Sequence, residues 1–260
     1  MSTITPRFRA AALACLFHHE CGGRESVAYR LSFARIGASG ASYGKLQADC
    51  HVNPAARTAM AQILKVSGMA SDRIATIQGW LALRMPHGWV GAPEDLRDIN
   101  AAIAAPSGRA IADKQDGELL NGLLTQLERC YGSAARHGVT IADDAALAIC
   151  LWTNQAGPPT ELRLWLAGEQ VALGGTEIAP CPAAATVTLD GLISGYLDHV
   201  PFEARYPAQI TALREAVTVG LEAMGDEPPP ATAAPTPAVP DDAGAVRPDE
   251  SARASAQKAA

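Results

Sequence analysis

Residues 10–23 read Ala-Ala-Ala-Leu-Ala-Cys-Leu-Phe-His-His-Glu-Cys-Gly-Gly. Leu13, Leu16, Phe17 and Glu20 fall at i, i+3, i+4 and i+7, one face of a helix, so a helix is expected whose apolar side ends on a carboxylate. The pair Gly22-Gly23 supplies the left-handed backbone that ends helices and leaves Glu20 in the last turn. An apolar face and the negative end of a helix dipole are surroundings that suit a proton donor more than a solvated anion.

Downstream the periodicity changes. Val27, Tyr29, Leu31 and Phe33 alternate, a Gly37-Ala38-Ser39-Gly40 turn follows, and Tyr43, Lys45, Gln47 and Asp49 then alternate with Gly44, Leu46 and Ala48. Period-two patterning on both sides of a Gly-rich turn predicts a β-hairpin. After Asn53-Pro54 the pattern is helical over 54–66, 71–83, 93–105 and 109–136, with Gly and Pro turns between. An Ala-rich stretch, 143–153, reads as a central packed helix; a Gly/Ala/Pro-rich loop at 174–185 precedes helical segments at 189–198 and 207–224. The expected fold class is α+β, mainly α, with its only sheet small and close to the N-terminus.

The whole chain of 260 residues is 48% apolar and 18% charged, which excludes wholesale disorder and leaves room for a sizeable core. Residues 1–225 are expected to form the folded domain. Residues 226–260 hold seven of the 18 prolines, eleven alanines and no aromatic residue, so they read as a disordered tail. A net charge of −6 offers no basic surface for a phosphate backbone, so no nucleic-acid partner is expected. No uninterrupted apolar run exceeds eight residues, too short for a membrane span. Arg7 and Arg9 ahead of the first run imitate a secretory signal, but its centre is short and closes on His18-His19-Glu20. Synthesis in the cytoplasm, with six reduced cysteines, is the expectation.

Three islands together resemble a known superfamily: the helix ending in Glu20, the segment Ser42-Tyr43-Gly44-Lys45-Leu46-Gln47, and Trp152-Thr153-Asn154-Gln155-Ala156-Gly157-Pro158. Their order and setting are similar to the lysozyme-like superfamily, nearest to soluble lytic transglycosylases and goose-type lysozymes, over residues 10–166. The resemblance implies that Glu20 is the catalytic acid. It also implies that Gly44-Lys45-Leu46-Gln47 and Asn154-Gln155-Ala156-Gly157-Pro158 line the sugar groove, and that the bond cleaved is the β-1,4 linkage between N-acetylmuramic acid and N-acetylglucosamine. The chain departs from the family pattern in having Cys21 where a Ser follows the Glu, Lys45 for a Leu, Asn154 for a Tyr, and a longer hairpin.

Chemistry assigns each residue a role. Glycoside cleavage needs a proton donor, plus a second carboxylate to activate water or a nucleophile from the sugar itself. Glu20 is the donor; Asp49, on the hairpin face of Gln47, is either the base of an inverting hydrolase or a residue that caps the following helix or forms a salt bridge. Without Asp49 the resemblance implies the transglycosylase route, with Glu20 as acid and then base while the muramic acid 6-hydroxyl attacks. Ser42 and Gln47 are neutral groups able to orient a sugar, and Tyr29, Tyr43 and Trp152 are either pyranose platforms or core. Asn154, beside Gln155, binds an N-acetyl group or caps its helix.

No cofactor and no metal is expected. Cys15, His18, His19 and Cys21 lack metal-ligand spacing, and Gly23 stands where a zinc-protease helix needs its second His. Peptidoglycan glycan strands are the expected partner, reached in the periplasm or cell wall by lysis, virion delivery or non-classical export, with the tail either an export or docking handle or an inert linker; an endolysin or a secreted effector fits. Two alternatives stay open: a chitosanase-like hydrolase using Glu20 and Asp49, whose cationic polymer suits an acidic protein, and a non-catalytic glycan- or partner-binding module on the same scaffold.

Overall fold

Thr5, in extended backbone, accepts the Phe8 N–H on its hydroxyl at 3.1 Å and starts α1 (Pro6–Cys21) with Pro6 in the first turn. Gly22 ends the helix at φ 60°, donating its N–H to the His18 carbonyl at 2.7 Å, while the Gly23 N–H reaches Phe17 O at 3.4 Å. In this computed structural model, residues 4–34, 39–201 and 207–225 are described. The tail 226–260 and the expected turn at Gly37-Ala38 lie outside them. Thr5→Ala removes the start signal of the helix that carries Glu20 and is expected to lower stability by about 1 kcal/mol, read from the denaturant midpoint at unchanged m.

The expected hairpin is corrected to a three-stranded sheet. Residues 25–28 form a short helix, α2 (Glu25–Ala28), whose buried Ala28 is followed at once by buried Tyr29, a contiguous rather than alternating pattern. The strands β1 (Ser32–Phe33), β2 (Ala41–Tyr43) and β3 (Ala48–Asp49) pair antiparallel in the order β1-β2-β3. Ser42 lies opposite both Ser32 and Asp49. The expected second strand is cut in two because Gly44 (φ 87°) and Gln47 (φ 51°) take left-handed backbone, which no strand accommodates.

The helices α3 (Pro54–Val66), α4 (Ser71–Leu81), α5 (Pro93–Ala104) and α6 (Pro106–Arg136) follow. Asn53 caps α3 by accepting the N–H groups of Ala55 and Ala56. Pro106 holds Ala105 in extended backbone, which separates α5 from α6. The 31 residues of α6 run about 46 Å at 1.5 Å each, long enough to serve two hydrophobic clusters. Ala112 packs with α3, α4, α5 and the sheet, including Met60, Ile77 and Ile99. Leu120, Leu124, Leu127 and Cys130, one stripe further along, pack with α1 and the later helices.

Beyond α6 come β4 (Thr140–Ile141), α7 (Asp143–Ala156), α8 (Thr160–Leu166), β5 (Val171–Leu173), β6 (Thr176–Ile178), β7 (Thr186–Val187), α9 (Leu189–Gly195), a 3₁₀ turn (Leu197–His199) and α10 (Pro207–Gly225). The expectation of a single sheet is thus also corrected. β4 and β7 pair in parallel, and β5–β6 is a hairpin across Gly174-Gly175 whose turn and second strand fall inside the segment expected to be loop. Small strands of two or three residues leave too little alternation to read. Residues 145–153 of α7 are buried on every face, and α10 packs so closely on α1 that a Cβ at Gly220 would lie 3.0 Å from Cys15 Cβ. The fold is mainly helical with a few small strands. Among the described residues no helix is long and apolar enough to cross a membrane.

Candidate active site

The ends of α1 and α7 and the turn between β2 and β3 meet at one point. Asn154, in the last turn of α7, donates its Nδ2 to Glu20 Oε1 at 3.0 Å and to the Leu46 carbonyl at 3.4 Å. Three segments separated by as many as 134 residues in sequence are thereby joined through a single side-chain amide. Glu20 is half-buried, with 19% of its side chain exposed, and its Oε2 takes no hydrogen bond from the described residues. His19, 7% exposed, points a buried Nδ1 that has no hydrogen bond at Glu20 Oε1, 3.6 Å away. One carboxylate oxygen is therefore held in place while the other remains available for a proton.

The turn that supplies the Leu46 carbonyl is held from beneath. Asp116 of α6, 2% exposed, accepts the Lys45 N–H at 2.7 Å and the Leu46 N–H at 3.1 Å. Burial pushes its carboxyl up to about 6, against the opposing pull of these two bonds. Gly44 lets the carboxylate approach, since a Cβ there would lie 2.6 Å from Asp116 Oδ1. Gln47 is held in its left-handed conformation by donating Nε2 to Gly44 O at 2.9 Å and accepting from Ser32 Oγ. Cys21, next to Glu20, points its sulfur at the carbonyls of Gly44 and Lys45, both at 3.7 Å, and burial pushes its thiol up to about 11, so it acts as a neutral donor.

The remaining residues singled out by sequence are placed apart from this point or turned to other work. Asp49 spends its carboxylate on backbone: Oδ2 accepts the Gly40 N–H at 3.0 Å and Oδ1 the His51 N–H at 2.7 Å. Tyr43 is fully buried with its hydroxyl on Ala56 O, and Trp152 is 6% exposed, packed edge-on against Tyr196 with ring centroids 5.7 Å apart. Both therefore belong to the core. Ser42 lies at the centre of the sheet, partly buried, and Gln155 is exposed at the end of α7. Tyr29 is buried with its hydroxyl on Asp113 Oδ1 at 2.7 Å, beneath the Arg109 guanidinium 4.6 Å from the ring centre.

Asp113 and Asp116, which the sequence reading did not single out, border an open groove of about 380 Å³ between α1 and α6. Arg9, Leu13, Lys45 and Leu120 also line it, and Lys45 Nζ pairs with Asp113 at 2.8 Å. A signal was present: Asp113 and Asp116 stand at i and i+3 in line with the apolar stripe of Leu120, Leu124 and Leu127, as Glu20 stands in line with Leu13 and Leu16.

The raised Asp116 carboxyl fixes the sign of a pH effect. Between the unfolded value, 3.8, and the folded value, about 6, the folded protein binds more protons at this group than the unfolded chain. Its contribution to stability accordingly falls as pH rises from about 4 to about 6 and is flat on either side. Asp116→Asn lacks that loss, so its melting temperature relative to wild type is expected to be higher at pH 7 than at pH 3.5, by the equivalent of roughly 2–3 kcal/mol. Thermal scans of the two proteins at both pH values measure the difference. Compared with known proteins, the chain matches no family model, no curated protein and no solved structure.

Proposed function

We propose that the chain cleaves peptidoglycan at the β-1,4 bond between N-acetylmuramic acid and N-acetylglucosamine, with Glu20 as the general acid and then the general base. The observation that carries this reading is the Asn154 amide joining Glu20 to the Leu46 carbonyl, because it assembles the three islands that resemble the lysozyme-like superfamily into one site. A half-buried carboxyl held by one oxygen and free on the other is the arrangement a positioned proton donor needs.

The engagement of Asp49 with the Gly40 and His51 N–H groups favours the transglycosylase over the inverting route, since the latter needs a second carboxylate free to take a proton from water. In the favoured route the Glu20 proton passes to the glycosidic oxygen as its bond to C1 breaks. The resulting carboxylate then removes the proton of the muramic acid 6-hydroxyl while O6 bonds to C1, which returns Glu20 to its starting state and gives a 1,6-anhydro end. No water is consumed. The reading is tested by incubating the protein with purified peptidoglycan and, separately, with chitosan. Soluble fragments from peptidoglycan alone support it; fragments from chitosan alone transfer the site to the chitosanase-like alternative, and binding without fragments from either points to the non-catalytic module.

A further inference from the structure

We infer that Asp116 is the positioning residue of this site: its carboxylate fixes the 44–46 turn, the turn fixes Asn154 through the Leu46 carbonyl, and Asn154 fixes Glu20. The inference rests on the assignment of Glu20 above for its catalytic consequence, though the relay itself consists of hydrogen bonds. Asp116 takes the Lys45 and Leu46 N–H groups at 2.7 and 3.1 Å; Leu46 O takes Asn154 Nδ2 at 3.4 Å; the same Nδ2 reaches Glu20 Oε1 at 3.0 Å. Leu46 is itself 1% exposed and packed in the main core, so the turn has little room to adopt a second position while Asp116 holds it.

A buried carboxylate is a costly way to hold a turn when neutral groups would serve, and it makes the grip dependent on charge. The ionised form accepts both N–H groups; the protonated form turns one oxygen into a donor facing them. The groups around it are Asp113 on its own helix, the Lys45 ammonium on the turn, Tyr43 of β2, the Cys21 thiol at the end of α1, and Arg9 across the groove. Only Lys45 and Arg9 among these carry positive charge, and each is already engaged, Lys45 by Asp113 and Arg9 by Asn121 and Gly117 O. The two turn N–H groups are thus the only direct hydrogen bonds to Asp116 among the described residues.

The relay is tested first in the wild-type protein, without a substrate. The Leu46 backbone amide and the Asn154 side-chain amide are followed by ¹H–¹⁵N NMR between pH 4.5 and 8. Both are expected to move through one shared step that vanishes in Asp116→Asn; a step at Leu46 with none at Asn154 overturns the relay whatever the substrate proves to be. The catalytic consequence is read on peptidoglycan. Asp116→Asn is expected to lower kcat by about 10-fold or more with KM changed less than about twofold, and to lose the part of the acid limb of kcat that accompanies the shared step. Combined with Asn154→Ala it should cost little beyond Asn154→Ala alone, because both cut the same chain. Full additivity, or an unchanged kcat in Asp116→Asn, overturns the positioning role. A wild-type protein that releases no fragments, or a Glu20→Gln variant that still does, instead rejects the function assigned to Glu20 and leaves the NMR result to decide the relay.

Discussion

Glu20→Gln is expected to reduce fragment release from peptidoglycan by at least about 100-fold while leaving the melting temperature within about 2 °C of wild type. Glutamine keeps the shape of the side chain, and its carbonyl oxygen can still accept Asn154 Nδ2, so the link between α1, α7 and the turn survives. What it lacks is a proton to give and a carboxylate to take one back. Because Glu20 Oε2 has no partner among the described residues, no hydrogen bond to it is lost. A comparable loss of activity accompanied by a large fall in melting temperature would mean that the residue holds the fold rather than the chemistry.

The largest expected effect on stability is that of Gly44→Ala. At φ 87° any side chain is strained, by about 1 kcal/mol or more, and the new Cβ would stand 2.6 Å from Asp116 Oδ1. That oxygen cannot swing aside freely, because it accepts the Leu46 N–H, while Oδ2 of the same carboxylate accepts the Lys45 N–H. Displacing the carboxylate leaves the buried Leu46 N–H unpaired, at about 1–3 kcal/mol, and loosens the half-buried Lys45 N–H, so with the backbone strain a total loss of about 3 kcal/mol is expected. Chemical denaturation measures it. Activity should fall as well, since the Leu46 carbonyl moves with the turn. An alanine variant with wild-type stability would show that the turn can shift away from α6 without penalty, which the buried position of Leu46 argues against.

Helix ends were legible in the sequence because their signals are local. Gly22 and Asn53-Pro54 act within a few residues, so α1 ends and α3 and α7 begin where such signals or the apolar pattern place them. The sheet was misread for the opposite reason. Tyr43, Lys45, Gln47 and Asp49 alternate in sequence, yet the Gly44–Gln47 turn is dictated by a carboxylate about 70 residues away on α6. Nothing in the hairpin announces that partner. Aromatic type was equally silent about place: Tyr43 and Trp152 suit a sugar platform or a core, and burial of α7 on all faces puts Trp152 in the core. The more general signal was a carboxylate in line with an apolar helical stripe. It found Glu20, and applied to α6 it would have found Asp116 as well.

The measurement that bears most directly on the account is mass spectrometry of the soluble fragments released from purified peptidoglycan by the wild-type protein and by Glu20→Gln. Muropeptides with anhydro ends, one water lighter than their hydrolytic counterparts, are expected from the wild type and none from the variant. Fragments with reducing ends would contradict the route through Glu20 alone and return Asp49 to the chemistry, and fragments released equally by the variant would contradict the central assignment.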